Sequence, residues 1–244
     1  MNPARGLLPL AVLLIGWQLV GDPESVTVPP PTEWLAALGR LHARGDLLPA
    51  VWSTASTYLL ALGLAVLVGT AVGVLIGASR LADRLLTPML DAIATVPGAA
   101  IVPVVIVLLG LTQTANVLVV VLVVVWPILL TMTTAMRAIP AVRLDMSRTL
   151  GLSAPARWRK IILPSLVPDL LVAVRISSSL ALIITLLGDI LGSAGGIGIQ
   201  LEIRSASFDA AGAWGLLLIV GAMGYLASRA IAALERRVLQ SWPR

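Results

Sequence analysis

Long apolar runs alternate with short polar segments along the whole chain. The runs lie at about Gly6–Gly21, Val51–Ala78, Pro88–Gly110, Asn116–Met136, Leu170–Leu191 and Ala213–Ala233. All but the first reach the roughly 20 residues that a helix needs to cross a hydrocarbon core. The runs are continuous, whereas membrane barrel strands alternate over about 10 residues. The pattern therefore predicts an all-α, polytopic membrane protein with six transmembrane helices.

Punctuation within and between the runs adds detail. Arg5 and the apolar core after it resemble a secretory signal, but Gly21-Asp22-Pro23-Glu24 is a poor cleavage context. A retained first helix is the expectation. Residues 22–49 form a polar connection with Pro29-Pro30-Pro31, and Thr32 is placed to cap a short helix. Trp34, Leu38 and Leu41 share one face of that helix. It either lies on the outer membrane surface or packs as a loop helix. The second run carries Gly69, Gly73 and Gly77, a small-xxx-small spacing that lets helices approach closely. Ser79 to Arg84 reads as a short charged turn, and Thr112-Gln113-Thr114 as a tight one. Pro97-Gly98 and Pro103 interrupt the third run, and Pro127 the fourth. Such breaks are tolerated where protein or a water-filled cavity satisfies the freed backbone. Gly192 to Gly212 read as a glycine-containing connection.

Composition agrees: 58% of the 244 residues are hydrophobic and 12% charged. A soluble domain has roughly 45–50% and about 25%. With no cysteine, disulfides and thiolate chemistry are excluded. The net charge of +5 does not indicate nucleic acid, because the cations sit at the ends of the runs. Six helices put both termini on one side. With that side cytoplasmic, the inner segments hold Arg5, Arg80, Arg84, the loop cations and the tail arginines. The outer ones hold only Arg40, Arg44 and Arg204. This is the positive-inside pattern, and it puts the large basic loop in the cytoplasm.

An energy source is missing. A P-loop needs Gly-x4-Gly-Lys-Ser/Thr, and the one lysine, Lys160, follows Arg159. A proton-driven carrier shows acidic or histidine residues at mid-membrane depth. Here Asp91 and Asp189 come nearest, both close to the ends of runs, and His42, the lone histidine, reads as a surface residue. No catalytic or metal-binding set assembles. The chain is expected to be no enzyme and to carry no cofactor of its own.

The most informative segment is 137–169, RAIPAVRLDMSRTLGLSAPARWRKIILPSLVPD, with six of the 17 cationic residues. Pro140 allows a helix start, and Gly151 ends that helix in the left-handed position. Ser153 and Pro155 open a second short helix, which Leu163-Pro164 is expected to stop. Two short helices with a glycine elbow would then project into the cytoplasm. This segment resembles the E-A-A-x3-G-x9-I-x-L-P motif of permease subunits of bacterial ABC importers. Asp145-Met146-Ser147 stands at the E-A-A positions, and Gly151, Ile161, Leu163 and Pro164 match the rest at the right spacing. Leu81–Pro88, Trp126–Leu129, Gly192–Gly198 and Val28–Glu33 are similar to stretches of the nitrate/sulfonate/taurine-type permease group. The likeness spans roughly residues 25 to 240.

The resemblance implies a division of labour. Two permease subunits, expected to be a homodimer, form the pore. Two ATP-binding subunits, which hold ATP and Mg, grip the cytoplasmic loops, and an extracytoplasmic substrate-binding protein delivers a small solute. A sulfonate, taurine or nitrate is the expected cargo, although related permeases move bicarbonate or pyrimidine-like compounds. Residues 1–49 then form a first helix and outer connection, and 50–240 the permease core. Asp145, Gly151, Ile161, Leu163 and Pro164 define the ATPase-coupling element. Arg157, Arg159 and Lys160 contact either the ATPase or lipid headgroups. Pathway candidates are Asp91, Pro97, Ser178, Thr185 and Asp189, the last as a gate or helix-pairing residue. Arg175 either snorkels or pairs with Asp91. Two other readings remain open: a self-sufficient secondary carrier, whose inverted repeat and midplane ion ligands are not evident, and a non-transporting membrane scaffold.

Overall fold

The computed structural model describes residues 3–22, 25, 27–192 and 195–240, apart from the side chains of residues 3–7, 10, 91, 239 and 240. Helices account for all regular structure among them. In order they are α1 (Pro3–Val20), α2 (Pro31–Ala43), α3 (Leu47–Ala78), α4 (Arg80–Ala94), α5 (Gly98–Leu109) and α6 (Gln113–Ala138). Then come α7 (Ala141–Thr149), α8 (Ala154–Arg157), α9 (Leu163–Gly192), α10 (Ile197–Ala206) and α11 (Ala210–Gln240). A π-helical turn, Trp158–Ile162, joins α8 to α9.

Helices α3, α6 and α9 form the core. Small residues on α3 set its distance from α6. A Cβ placed on Gly77 would lie 2.6 Å from the Thr133 carbonyl, and one on Gly69 would lie 3.0 Å from Ile128. The Gly73 carbonyl accepts a hydrogen bond from Thr133 Oγ1 at 3.1 Å. The small-xxx-small row thus packs as its spacing predicts. Around it Val102, Val119, Val120, Val124, Ile128 and Met132 are fully buried. The outer faces stay apolar: Leu59 and Leu67 of α3, Val107 and Leu108 of α5, and Leu226 of α11 are all exposed.

Helices α3, α6, the continuous α8–α9 rod and α11 are long and apolar enough to cross a membrane. Helices α4 and α5 make a fifth span only if counted together, and α1 adds a shorter apolar helix.

Several expectations need correction. Pro103 and Pro127 do not break their runs but lie inside α5 and α6, whereas the third run does break at Pro97-Gly98, where α4 and α5 meet at an 88° bend across Thr95–Pro97. Proline has no N–H to continue the ladder. Ser79–Arg84 is not a turn but the start of α4, where Ser79 Oγ accepts from the Ala82 amide at 3.3 Å. Likewise α6 begins at Gln113, capped by Thr112 Oγ1. Pro164 does not stop the second loop helix. The π-helical turn bonds the Leu163 amide back to the Trp158 carbonyl, so proline falls in the first turn of α9, where its missing donor costs little. Thr32 does not cap α2; its backbone amide and hydroxyl bond the Gln18 side chain instead, both at 3.1 Å. Helix α2 is a packed loop helix. Trp34, Ala37 and Leu41 are buried, and Trp34 lies 5.0 Å from Trp17 and 5.4 Å from Trp214, centroid to centroid. The connection after α9 is largely helical, as α10. Arg175 forms an ion pair with Glu235 of α11.

Candidate functional site

The two ends of the helical bundle carry different chemistry. At one end, α6 hands the chain to the loop. Arg137, the penultimate residue of α6, ion-pairs with Asp83 of α4 and donates to Thr87 Oγ1 at 2.9 Å. Thr87 Oγ1 in turn donates to Asp83 Oδ1 at 2.5 Å. This bracket fixes where the loop leaves the bundle.

Helix α7 follows Pro140, whose fixed φ suits a helix start. Ser147 is buried and donates to the Leu144 carbonyl, so α7 is seated on one side. Its other side is open: Val142, Met146 and Leu150, four residues apart, are 67%, 58% and 73% exposed. Gly151 has φ +67°, the left-handed value that ends helices. No atom lies within 4 Å of a Cβ added there, so its backbone conformation, not crowding, requires glycine.

The sequence-predicted coupling residues are brought together in part. Lys160, Ile161 and Pro164 face α7 across an open groove of about 540 Å³, whose other wall is Arg143, Met146, Ser147 and Leu150, so part of the exposed ridge borders the groove. Asp145 is exposed and ion-pairs with Arg148 at 3.0 Å. Arg159 is exposed, and Arg157 is half-buried with its Nε shielded. Leu163 lies outside the groove. It lines a separate apolar cavity of about 330 Å³ with Trp158, Val74 and Met132. The sequence reading treated Met146 only as a departure from the motif. The i, i+4, i+8 spacing of Val142, Met146 and Leu150 was the signal for the exposed ridge.

The other end holds a buried polar cluster. Asp189 of α9 is 1% exposed. Its Oδ2 accepts from Thr54 Oγ1 of α3 at 2.6 Å, and its Oδ1 accepts from Asn116 Nδ2 of α6 at 2.8 Å. Asn116 Nδ2 also lies 3.3 Å from the Thr185 carbonyl. Thr54 Oγ1 accepts from the Ile197 amide at 2.8 Å, which brings in the first residue of α10. Deeper in the bundle, Tyr58 and Ser178 share a 2.6 Å hydrogen bond. Gln113 reaches Ser56 and Thr57 at 3.0 and 3.1 Å.

Ser178, Thr185 and Asp189 are therefore gathered in the interior of a single subunit, bonded to neighbouring helices. Thr54, Asn116 and Tyr58 were not singled out in the sequence. Their only mark was polarity inside apolar runs. Pro97 sits at the break between α4 and α5, beside a cavity of about 290 Å³ bounded by Ala94, Gly98, Trp126 and Pro127. The side chain of Asp91 lies outside the described residues. Among the described residues no group of three or more His, Asp or Glu gathers as a metal site would require.

Known proteins share this architecture. The chain is 30% identical to the bicarbonate transport system permease protein CmpB of Synechocystis sp., over 98% of this chain and 88% of the relative. It is 28% identical to the nitrate import permease protein NrtB of the same organism, over 96% and 89%. It is 23% identical to the taurine transport system permease protein TauC of Escherichia coli, over 94% and 86%. A solved structure of the MetNI methionine ABC transporter has the same fold, with a TM-score of 0.70 over 80% of this chain and 97% of that one, at 22% identity. Residues 65–240 match the family of binding-protein-dependent transport system inner membrane components, and this multi-pass membrane protein belongs to it.

Proposed function

We propose that the chain is the pore-forming permease of an ABC importer, assembled as a homodimer on two ATP-binding subunits that hold ATP and Mg, and served by an extracytoplasmic substrate-binding protein. Helices α1, α3, the α4–α5 pair, α6, α9 and α11 supply six spans, with both termini in the cytoplasm. Residues 50–240 form the permease core behind a first helix and outer connection within 1–49. The cargo is a small anion such as a sulfonate, taurine or nitrate, in keeping with the relatives' names.

One observation carries the reading: the Gly151 elbow leaves the Val142–Met146–Leu150 ridge of α7 exposed at the end of the bundle where the loop's cations gather. An apolar ridge beside Arg148, Arg159 and Lys160 is poorly suited to either water or lipid, and is well suited to a protein groove. Ile161 and Pro164 face α7 across the groove at the root of α9, and Leu144 packs α7 on the core, so a shift of α7 reaches the spans. Coupling then follows from differential contact with open and closed ATPase dimers. Pro97, at the α4–α5 break, is the best-placed pathway candidate. Asp91 keeps its candidacy from the sequence, and Ser178, Thr185 and Asp189 brace the helices around it.

Met146→Cys, in a chain otherwise free of cysteine, tests the docking. The expected result is a crosslink to an ATP-binding subunit in membranes, with ATP-dependent uptake into vesicles retained. Uptake by the permease alone, with no ATPase present, would support a self-sufficient carrier instead.

A further inference from the structure

Asp189 stands out among the buried groups, because a carboxyl side chain within a membrane span is costly and is kept where it has work to do. Four elements converge on it. Thr54 comes from α3, Asn116 from α6, Asp189 itself from α9, and the Ile197 amide from α10. The chain around α10 is fitted to the carboxyl group. A Cβ on Gly198 would lie 2.5 Å from Asp189 Cβ, and one on Gly196 would fall within 2.8 Å of both carboxyl oxygens. Gly188, the preceding residue, is as closely opposed to Asn116. Apolar burial adds to the seat, since Ile197 is fully buried among Leu41, Ala50 and Leu216.

The polarity of each bond is informative. Thr54 donates to Asp189 and accepts from Ile197, so one hydroxyl relays the carboxyl group to the first turn of α10. Without that hydroxyl, the Ile197 amide and Asp189 Oδ2 both lose a partner in a dry interior. The far end of α10 is open on its outer face: Ile203 is 46% exposed, Ser205 and Ala206 are exposed, and Phe208, two residues past the helix, has φ +56° and 78% exposure, while on the inner face Arg204 ion-pairs with Asp209 at 3.6 Å. A short helix latched at its N-terminal end and open on its outer face at the other can be pulled from its seat by a partner outside.

We propose that Asp189 is the positioning residue of a latch which, through Thr54, seats α10 across the outer ends of α3, α6 and α9, and that release of this latch is a step of the transport cycle. The proposal rests on the importer reading, under which α10 faces the substrate-binding protein. Docking of that protein on the exposed face of α10 tilts the helix and pulls the Ile197 amide from Thr54. Helix α9 is then free to part from the α3–α6 pair. In the resting transporter the closed latch keeps ATP hydrolysis low.

The test uses three variants in the whole transporter, reconstituted in lipid nanodiscs. Thr54→Val removes the hydroxyl with little change of shape, Thr54→Ser restores it, and Asp189→Ala removes the acceptor. A nitroxide on Ser205→Cys reports α10 motion, since the chain has no other cysteine. ATP hydrolysis is measured with and without the cognate binding protein. Thr54→Val is expected to sharpen the nitroxide spectrum and to raise hydrolysis without the binding protein by roughly five-fold, the lower range of measured site-to-site couplings. Asp189→Ala should do both more strongly, and Thr54→Ser should match wild type. If Asp189→Ala fails to assemble, Thr54→Val decides. An unchanged spectrum in Thr54→Val overturns the latch, and so does a mobile α10 with unaltered dependence on the binding protein. If wild type binds no ATPase, the importer reading fails; the nitroxide arm, run on the permease alone, still reports whether α10 is latched.

Discussion

The loop between α6 and α9 and the connection between α9 and α11 are built on opposite principles. Both reverse the chain, contain a short helix and turn on glycines with positive φ. In the first, α7 keeps its apolar residues outside: Met146 and Leu150 are exposed while a serine is buried beneath them. In the second, α10 buries Ile197 and Gly198 and is tied by hydrogen bonds to a carboxyl group inside the bundle. An element that must meet another protein is left incomplete. The first turn of α10, which closes against its own bundle, is finished internally. The contrast explains why the docking residues can be read from one motif while the polar cluster at the other end cannot. A docking surface keeps its residues consecutive, whereas an internal tie gathers them from distant helices.

Three substitutions would break or sharpen this contrast. Gly151→Val should have the largest effect. A side chain in the left-handed conformation costs roughly 1–2 kcal/mol, and a branched one is worse, so the elbow should reset and carry the ridge away from its partner. Uptake should fall about ten-fold or more, which corresponds to ~1.4 kcal/mol, while the amount of protein in the membrane stays the same. Normal uptake would remove the elbow from the mechanism. Asn116→Leu attacks the internal end. It withdraws the donor at Asp189 Oδ1 and at the Thr185 carbonyl, at a cost of about 1–2 kcal/mol. The melting temperature of the purified permease should drop, and ATPase binding should remain. Asp145→Asn should be the mildest. Its ion pair with Arg148 is exposed on both sides, and such pairs contribute little. The melting temperature should not move, and affinity for the ATPase should fall a few-fold if the carboxylate meets the partner.

Much of the fold can be read from the chain because a bilayer demands long uninterrupted apolar helices. Both boundaries of α6 and the start of α11 follow from that demand within about three residues, and the Gly69–Gly73–Gly77 row declares its packing. Proline misled in both directions. At Pro164 it suggested an end, yet the π-helical turn before it absorbs the lost bond and the rod continues. At Pro97 it suggested a mere interruption, yet the helix turns by 88° there. A missing N–H specifies only that one bond is absent; the neighbouring packing decides whether the axis bends. The polar cluster was the least legible. Asp189 lies 135 residues from Thr54 and 73 from Asn116, so only the assembled bundle reveals that they belong together.

The closeness of α3 to α6 also limits how the molecule can change shape. Backbones that meet at Gly69, Gly73 and Gly77 have no side-chain cushion between them. Sliding one past the other would drive Met132 or Met136 into a wall of carbonyl groups. The two helices must travel together as one beam. Any alternation between inward and outward openings has to be taken up along softer seams, at the bend before α5 and along the flanks of α9.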